Sequence, residues 1–552
     1  MRVGASRVAS VLLVSVLVAC GGSGSSSPMD SNPPPPPPPP GGNPPPPPTT
    51  RTDVLTYKND VARTGQNLTE SLLTLGNVNS SSFGLLRMLD TDGKVDAQPL
   101  YAAGVSVQGA AHNVVFVATE NASVYAFDAD SGAKLWQVST LGSNEVPSDT
   151  HGCSQVTPTI GITATPVIDR SAGPHGILYL VAMSKTSAAS ASYFQRLHAL
   201  DLATGAELLN GPVTITGTYP MLGGTVTFEP EQYEERAALL LSQGMLYLSF
   251  TSHCDQQPYS GWVFAYNAAT LARTAVLNVA PNSGERGPAI WMAGGGPAAD
   301  ASGNVYLLTA NGEFETTLDG NGFPNRGDYG NSFVKLTLAG STLAVSDYFT
   351  MFNEVSESQT DTDLGSGGIM LLPDVKDSGG TTRHLAVGAG KDGHLYVVNR
   401  DSLGKFNAST NNIWQQLSGV LAGGIWSTPA YFNGTVYYGP REGALLAFPV
   451  TNARLAGAPS SSTAASFTYP GTAPAVSANG TSNGIVWAHE NSNPAVLHAY
   501  DAGNLAHELY NSSQAASGRD HFGAGNKFIT PTIADGKVFV GTQTGVAEFG
   551  LL

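Results

Sequence analysis

The feature that most constrains the fold is a unit that recurs along the chain at intervals of roughly 45 to 70 residues. Residues 115–136, VFVATENASVYAFDADSGAKLW, contain two apolar-alternating runs joined by a polar turn, followed by a glycine turn and a tryptophan. A run with a small residue and proline precedes such a pair, as in AQPLYAAGVSV and ITATPVIDR. Each unit therefore predicts four short antiparallel strands.

Eight such units align, and the eighth, FITPTIADGKVFVGTQTGVAEFGLL, lacks a fourth strand. Residues 82–92, SFGLLRMLDTD, precede the first unit and belong to none. If this run fills the vacant place, the ring closes and no sheet edge stays open. The sequence thus predicts an all-β, eight-bladed β-propeller of four-stranded antiparallel blades, closed by N- and C-terminal strands in the last blade. A pair of two-sheet sandwiches is the alternative, but it does not explain the recurrent proline.

The motif AFDADSGAKLW resembles the repeat of pyrroloquinoline-quinone-like (quinoprotein-type) β-propellers. Residues 57–67, YKNDVARTGQN, also resemble the lead-in segment of these proteins. Aspartate can accept hydrogen bonds from a turn, glycine can adopt positive φ, and tryptophan can pack between blades. We therefore interpret the motif as a structural link between blades. The matching positions are Ala126, Asp128, Ser131, Gly132 and Trp136 in the first unit and Ala199, Asp201, Thr204 and Gly205 in the second.

The resemblance has two functional implications. In the dehydrogenases of this superfamily, pyrroloquinoline quinone lies on the ring axis under a vicinal Cys-Cys disulfide and binds Ca²⁺. Other members have no enzymatic activity, such as the lipoprotein of the outer-membrane β-barrel assembly machine. This chain has no Cys-Cys pair and no C-x-x-C-H haem motif. The resemblance therefore leaves the quinone and calcium open, without the support of a vicinal cysteine pair.

The N-terminal residues indicate export. Arg2 and Arg7 precede an apolar run that is too short to span a bilayer and that ends at Cys20. The sequence Leu-Val-Ala-Cys resembles a bacterial lipobox, so we expect lipidation of Cys20; an ordinary cleaved signal peptide is the alternative. Gly21 is not a retention-type aspartate. We expect an exported lipoprotein anchored in the cell envelope, in the outer membrane of a Gram-negative bacterium.

The composition divides the chain and excludes one class of partner. Residues 1–20 are the predicted signal peptide, residues 21–52 a Gly/Ser/Pro-rich spacer, and residues 53–552 the propeller. The net charge of −16, with only 26 Lys plus Arg, argues against nucleic-acid binding. Beyond the signal, only Cys153 and Cys254 remain, and an exported pair is expected to form a disulfide. We expect a monomer.

Long polar loops are predicted on one face of the ring, which we call the long-loop face: residues 142–156, 253–261, 311–330, 352–367, 489–494 and 512–526. Long loops on a rigid scaffold commonly carry function. Asp319, Asn321 and Asp328 offer oxygen ligands for Ca²⁺, without the spacing of a calcium loop. Chemical groups on this face are His151, His253, Asp255, Glu313, Glu315, Asp361, Asp363, Lys391, Asp392, His489, Glu490, Arg519, Asp520 and His521. The starts of the inner strands add Gln98, Thr165, Arg236, Trp291, Trp426 and Lys527 at the channel mouth.

Three functions are compatible with these features. The first is a cell-surface binding or scaffolding propeller that uses the long-loop face for a carbohydrate or an envelope protein. The second is a pyrroloquinoline-quinone-dependent alcohol or sugar dehydrogenase. The third is a polysaccharide-cleaving propeller enzyme. The sequence alone assigns no catalytic residue, and the export signal, the spacer and the lack of a catalytic motif favour the first.

Overall fold

The structure, a computed structural model, describes residues 53–284 and 287–552. The predicted signal peptide, its Cys20 and the spacer lie outside the described residues. Eight small antiparallel sheets form a ring, so the chain is the predicted eight-bladed propeller. Helical structure in the described part is limited to Glu354–Gln359 and two short 3₁₀ turns, Leu364–Ser366 and Ala516–Gly518. No helix there is long and apolar enough to cross a membrane.

The blades follow one another along the chain, each from its inner to its outer strand. Blade 1 comprises Leu100–Val107, Ala110–Ala118, Ser123–Asp128 and Lys134–Ser139; blade 2, Val167–Asp169, Ile177–Thr186, Tyr193–Asp201 and Val213–Thr214; blade 3, Leu240–Ser242, Met245–Ser252, Trp262–Asn267 and Arg273–Asn278; and blade 4, Ala298–Ala299, Val305–Leu308, Ser332–Ala339 and Thr342–Thr350. Blade 5 comprises Met370–Leu371, Leu385–Ala389, Leu395–Asn399 and Gln415–Leu417; blade 6, Ala430–Phe432, Thr435–Tyr438, Gly443–Thr451 and Ser461–Phe467; blade 7, Ala475–Asn479, Ser482–Glu490, Val496–Asp501 and Glu508–Asn511; and blade 8, Thr532–Ala534, Lys537–Gly541, Gly545–Leu551 and Phe83–Asp90.

Several short strands lie outside the four strands that make up each blade. Glu145–Pro147 and Tyr233–Glu235 extend blades 2 and 3 from segments that precede the inner strands. Lys405–Phe406 pairs in parallel with the outer strand of blade 4, and Gln66–Asn67 with the inner strand of blade 7. Part of the predicted loop 142–156 is thus a strand, because its backbone pairs with the end of Ile177–Thr186. The remaining short strands are Arg454–Leu455 and the hairpins Thr218–Met221 with Gly224–Thr227 and Val375–Lys376 with Thr382–Arg383.

Burial explains why the second strand of each blade has a continuous run of apolar residues. The first eight residues of Ile177–Thr186 are all buried, because neighbouring blades cover both faces of the sheet. The outer strand Lys134–Ser139 has no fully buried residue, and polar Lys134, Gln137 and Ser139 make up half of it. Hydrophobic clusters extend from one blade to the next; one of them joins Tyr247, Tyr306 and Tyr396 of blades 3, 4 and 5.

The repeat motif links blade 1 to blade 2, as the sequence predicts. Asp128 Oδ1 accepts hydrogen bonds from the backbone N–H and the hydroxyl of Ser131, both at 2.7 Å. Gly132 completes this turn with a φ of 75°. The indole of Trp136 then donates a hydrogen bond of 3.0 Å to the carbonyl of Leu202 in blade 2. The polar groups of Asp128, Ser131 and Trp136 are therefore used to hold the turn and to connect it to blade 2.

The ring closes where the sequence predicts. Phe83–Asp90, within the predicted run 82–92, pairs antiparallel with Gly545–Leu551 as the outer strand of blade 8. The register joins Phe83 to Leu551 and Asp90 to Gly545. The two chain ends therefore share one sheet, which leaves the last blade complete.

The lead-in segment lines the inside of the channel. We call residues 54–67 the N-terminal belt. Its backbone hydrogen-bonds to the inner strands of blades 1, 2, 4, 5, 6 and 7, through Tyr101, Ile168, Ala299, Leu371, Tyr431 and Val476. Two side chains contact the remaining blades. Arg63 donates a hydrogen bond to the carbonyl of Leu239 beside blade 3, and Asn67 donates one to the carbonyl of Ile533 in blade 8. The belt therefore contacts every blade.

Candidate functional site

The channel mouth on the long-loop face holds a cavity of about 210 Å³, which we call the axial pocket. It brings together the predicted Arg236, Asp255, Trp291, Asp363 and Trp426, although they come from different blades. A narrower space of about 20 Å³, the lower chamber, adjoins it through Arg236 and Phe528 and is lined by Tyr57 of the belt. The predicted Gln98, Thr165 and Lys527 line this lower chamber. The axial pocket is lined by Gln155, Arg236, Cys254, Asp255, Trp291, Ala293, Asp361, Asp363, Ser366, Lys391, Trp426, Tyr469 and Phe528.

One wall of the axial pocket is a network of two carboxylates and a lysine. Lys391 Nζ lies 2.9 Å from Asp361 Oδ2 and 2.6 Å from Asp363 Oδ2. Asn311 donates to both acids, from its side chain to Asp361 at 2.8 Å and from its backbone to Asp363 at 2.7 Å. Burial raises the pKa of Asp363 more than Lys391 lowers it. Burial acts to lower the pKa of Lys391, but the two carboxylates raise it overall. Lys391 is therefore held as a cation between the two acids.

A second wall is aromatic and carries arginine. The guanidinium of Arg236 lies 4.9 Å from the ring centre of Phe528 and 5.9 Å from that of Trp291. Arg236 is only 7% exposed, and its Nε has no hydrogen-bond partner among the described residues. Its nearest carboxylate contact is Glu234, at 3.8 Å. Arg236 is thus a buried cation held mainly by ring faces.

Trp426 forms a separate aromatic corner. Its ring centre lies 5.8 Å from that of Tyr469, edge-on, and the guanidinium of Arg441 lies 5.4 Å away. Trp426 and Tyr469 both line the axial pocket. The pocket therefore combines flat apolar surfaces with charged groups, a composition typical of small-molecule sites.

A disulfide forms the third wall. Cys153 and Cys254 are bonded, with their Cα atoms 5.6 Å apart. Cys153 is buried, whereas Cys254 is exposed and lines the pocket. Behind them the imidazoles of His151 and His253 stack with their centres 4.2 Å apart. Burial and the neighbouring His253 lower the pKa of His151 to about 4, so this imidazole is neutral near pH 7.

The backbone around the pocket adopts conformations that favour glycine. Cys254, Asp255, Asp361 and Phe528 line the pocket with φ values of 48°, 55°, 57° and 65°, and Met292 follows Trp291 with a φ of 34°. Such left-handed residues cost free energy and concentrate at functional sites. This local strain indicates that the surrounding structure holds the pocket in one shape.

Several predicted face residues lie elsewhere and have structural partners. Asp520 accepts a hydrogen bond from the backbone of Leu85 in the closing strand and pairs with Arg519 at 2.7 Å. Glu490 pairs with His498 at 3.3 Å, and the adjacent His489 is buried. His521 is exposed and outside the axial pocket. Glu313, Glu315 and Asp392 also do not line it.

The residues predicted as calcium ligands have other partners. Exposed Asp319 caps a turn, since its Oδ1 accepts 2.8 Å hydrogen bonds from the backbone of Asn321 and Phe323. Asp328 is buried and accepts a hydrogen bond from Asn282; burial and the adjacent Glu315 raise its pKa to about 8. Nowhere in residues 53–284 and 287–552 could three or more His, Cys, Asp or Glu side chains together hold a metal ion. Asparagine is not among those residue types, so the calcium site at Asp319, Asn321 and Asp328 stays a prediction.

Sequence reasoning missed three contributors to the site. Asn311 orients both acids, while Tyr469 and Phe528 supply ring surfaces. Phe528 follows the predicted Lys527 and could have been included with it. Tyr469 lies in an ordinary FTYPG turn, which carries no signal of a site.

Comparison with known proteins places the fold. A sequence profile described as "Outer membrane protein assembly factor BamB" matches residues 120–237. No curated protein sequence matches significantly. The quinohemoprotein alcohol dehydrogenase of Comamonas testosteroni has a TM-score of 0.59 at 15% identity, covering 91% of this chain and 81% of that one. A europium-containing methanol dehydrogenase has a TM-score of 0.57 at 14% identity, covering 90% and 98%.

These similarities concern the fold, because the identities to solved structures are low. The profile match spans the outer two strands of blade 1 and all of blade 2, and it includes both copies of the repeat motif, at residues 126–136 and 199–205. Together with the eight complete blades, the match over residues 120–237 is consistent with a pyrroloquinoline-quinone-like β-propeller repeat.

Proposed function

We propose that this protein is a binding propeller of the cell envelope that holds a small ligand in the axial pocket. One observation carries the proposal: aromatic and charged side chains from separate blades converge on one cavity, on a backbone held in left-handed conformations. Rigid, preformed pockets of this composition are the usual sites for small molecules. The long-loop face, favoured from the sequence, is thus the working face, and its centre rather than its rim holds the ligand.

A thermal-shift screen of small metabolites and saccharides on the purified protein tests the proposal. A ligand should raise the melting temperature of the wild type, since it binds only the folded state. Trp291→Ala should abolish that shift. Trp414→Ala is the matched control, because Trp414 packs on Arg383 and Arg454 away from the pocket. A ligand whose effect survives Trp291→Ala would place the binding site elsewhere.

The relatives suggest a quinone-dependent dehydrogenase as a second function, and the pocket residues test whether the cofactor fits. Arg236 lies over one face of Trp291 and one face of Phe528, so a planar quinone could not stack on those two faces. A calcium ion needs free carboxylates, but Lys391 pairs with both Asp361 and Asp363. The residues in this arrangement do not fit the quinone with its cation, and we derive no redox step. Dye reduction after adding pyrroloquinoline quinone and Ca²⁺ would overturn this view.

Envelope anchoring belongs to the same proposal. The lipobox-like sequence ending at Cys20 and the match to an outer-membrane assembly-factor profile support it. Cys20→Ala should leave the protein unlipidated and move it from membrane to soluble fractions. Unchanged fractionation of that variant would refute lipidation at this cysteine.

A further inference from the structure

The base of the axial site contains two cations with little carboxylate pairing: Arg236 has one long contact, to Glu234 at 3.8 Å, and Lys527 has none among the described residues. Arg236 is buried, and its Nε has no hydrogen-bond partner among the described residues. Lys527 lines the same lower chamber, and its ammonium group forms no ion pair within the described part of the chain. Nearby Lys94 and Lys391, in contrast, pair with Asp96 and Asp363 at 2.8 and 2.6 Å. Arg236 and Lys527 are therefore the cations with the most capacity left to bind an anion, although Asp96 also lines the lower chamber.

The two cations also destabilise one another in the absence of an anion. Burial lowers the pKa of Lys527, and repulsion from Arg236 and Lys94 lowers it further, while attraction to Asp96 and Glu234 offsets only part of this. An anion placed between Arg236 and Lys527 would remove this repulsion and form charge-assisted hydrogen bonds. The lower chamber itself is too small for a whole ligand, at about 20 Å³. It suits a single group, such as a carboxylate, carried by a larger molecule.

Space for the rest of that molecule lies next to Lys527. A cleft of about 460 Å³, the outer cleft, is also lined by Lys527 and shares Gln155 with the axial pocket. Amides and hydroxyls, including Asn121, Asn491, Thr157 and Gln543, form about half of its lining, which also includes the charged groups Asp92, Lys94 and Glu120. Amides and hydroxyls both donate and accept hydrogen bonds, as the hydroxyl groups of a sugar do.

We propose that the ligand of this site is an acidic saccharide of the hexuronate class. Its carboxylate binds Arg236 and Lys527, and its hydroxyls bind the amides and hydroxyls of the outer cleft. This inference rests on the proposed binding function and adds the ligand's chemical class to it.

Calorimetric titration of the purified protein with D-glucuronate and with D-glucose tests the charge requirement. We expect D-glucuronate to bind at least about ten-fold more tightly, because a charged hydrogen bond is lost with the neutral sugar. Its affinity should fall as salt is added. Equal affinities, or no binding of D-glucuronate, would overturn the proposal.

Variants of Lys527 test whether D-glucuronate binds at this site or is attracted only by the overall charge of the protein. Lys527 is partly exposed, so its replacement should leave the fold intact, which the unfolding midpoint checks. Lys527→Gln should weaken D-glucuronate binding about ten-fold or more, while Lys527→Arg should retain most of it. Exposed Lys376→Gln, in the hairpin of blade 5, is the matched control and should change nothing.

The outcomes also separate this inference from the proposed function. Binding of a neutral ligand that requires Trp291 but is indifferent to Lys527→Gln would refute the acidic class and leave the axial site standing. If no screened ligand depends on Trp291, the binding function itself fails. Binding of D-glucuronate that Lys527→Gln leaves unchanged would refute the assignment of the carboxylate.

Discussion

Buried ionisable side chains give this protein opposing responses to pH. Burial lowers the pKa of His489 to about 4, as it does for His151, so the unfolded chain takes up protons first as pH falls below 6.5. The free energy of unfolding therefore falls as the pH drops below about 6.5, because protonation of these histidines favours the unfolded chain. Burial raises the pKa of Glu548 to about 7 and that of Asp328 to about 8. The stability that these protonated acids contribute is complete below about pH 4 and is lost as pH rises through 7 or 8.

Asp328→Asn isolates one of these acids. Asparagine resembles the protonated carboxyl group, can still accept the hydrogen bond from Asn282 and does not ionise. We expect the melting temperature to rise at pH 8 by roughly one to a few degrees and to change little at pH 4. Differential scanning calorimetry at both values measures this difference. Asp319→Asn, at an exposed carboxylate, is the control, and equal effects of the two substitutions would contradict the prediction.

At the scale of single elements, the glycine turns of the repeat motif determine how neighbouring blades pack together. Gly205 has a φ of 69°, and a Cβ atom placed on it would lie 2.8 Å from Val138 and 2.9 Å from Trp136 of blade 1. Gly223 has a φ of 82°, but a Cβ there would meet nothing within 4 Å. Alanine at either position would have an unfavourable positive φ, but only at Gly205 would its side chain also clash with neighbouring atoms.

Gly205→Ala should therefore destabilise the protein more than Gly223→Ala. The difference should be about 1–3 kcal/mol, the usual effect of overpacking a contact. Chemical denaturation of both variants measures it. If the two substitutions have equal effects, the contact between Trp136 and the turn of blade 2 adds no stability.

The disulfide joins two loops rather than two strands. The bridge spans 101 residues of sequence, for which loop-closure entropy gives at most about 4.7 kcal/mol, and the ring already restricts those blades. We expect reduction, or a Cys153→Ser/Cys254→Ser double variant, to weaken ligand binding more than it lowers the melting temperature. Titration of the ligand found in the screen, with and without reductant, tests this. Binding that is indifferent to reduction would show that Cys254 does not shape the pocket.

At the scale of the whole molecule, closure depends on both chain ends. Removing residues 545–552 deletes the strand that pairs with Phe83–Asp90 and exposes two sheet edges. We expect aggregation and loss of cooperative unfolding, measured by light scattering and calorimetry. Removing only Leu552, an exposed residue, is the control. A long truncation that unfolds as cooperatively as the parent would contradict closure through blade 8.

The sequence predicted the fold better than the site for a physical reason. The second strand of each blade is buried on both faces, so each unit carries the same apolar run, and closure follows from the unpaired run at 82–92. The pocket instead collects single residues from loops that share no pattern. Arg236 and Trp291 were found because they lie in the segments that precede the inner strands of blades 3 and 4. The pairing of Lys391 with Asp363 depends on how two separate loops of blade 5 meet, which no local pattern encodes.

The N-terminal belt gives the molecule a mechanical property. A pull on a single edge strand would unzip its hydrogen bonds one after another. A pull on the N-terminus instead loads the belt's contacts in chain order, from Val54 on blade 1 to Asn67 on blade 8. Lys58 adds hydrogen bonds to the carbonyls of Thr428, Pro429 and Pro474. A chain held by its N-terminus would thus have to break contacts with every blade before the belt left the channel, so the belt acts as a series of anchors inside the ring.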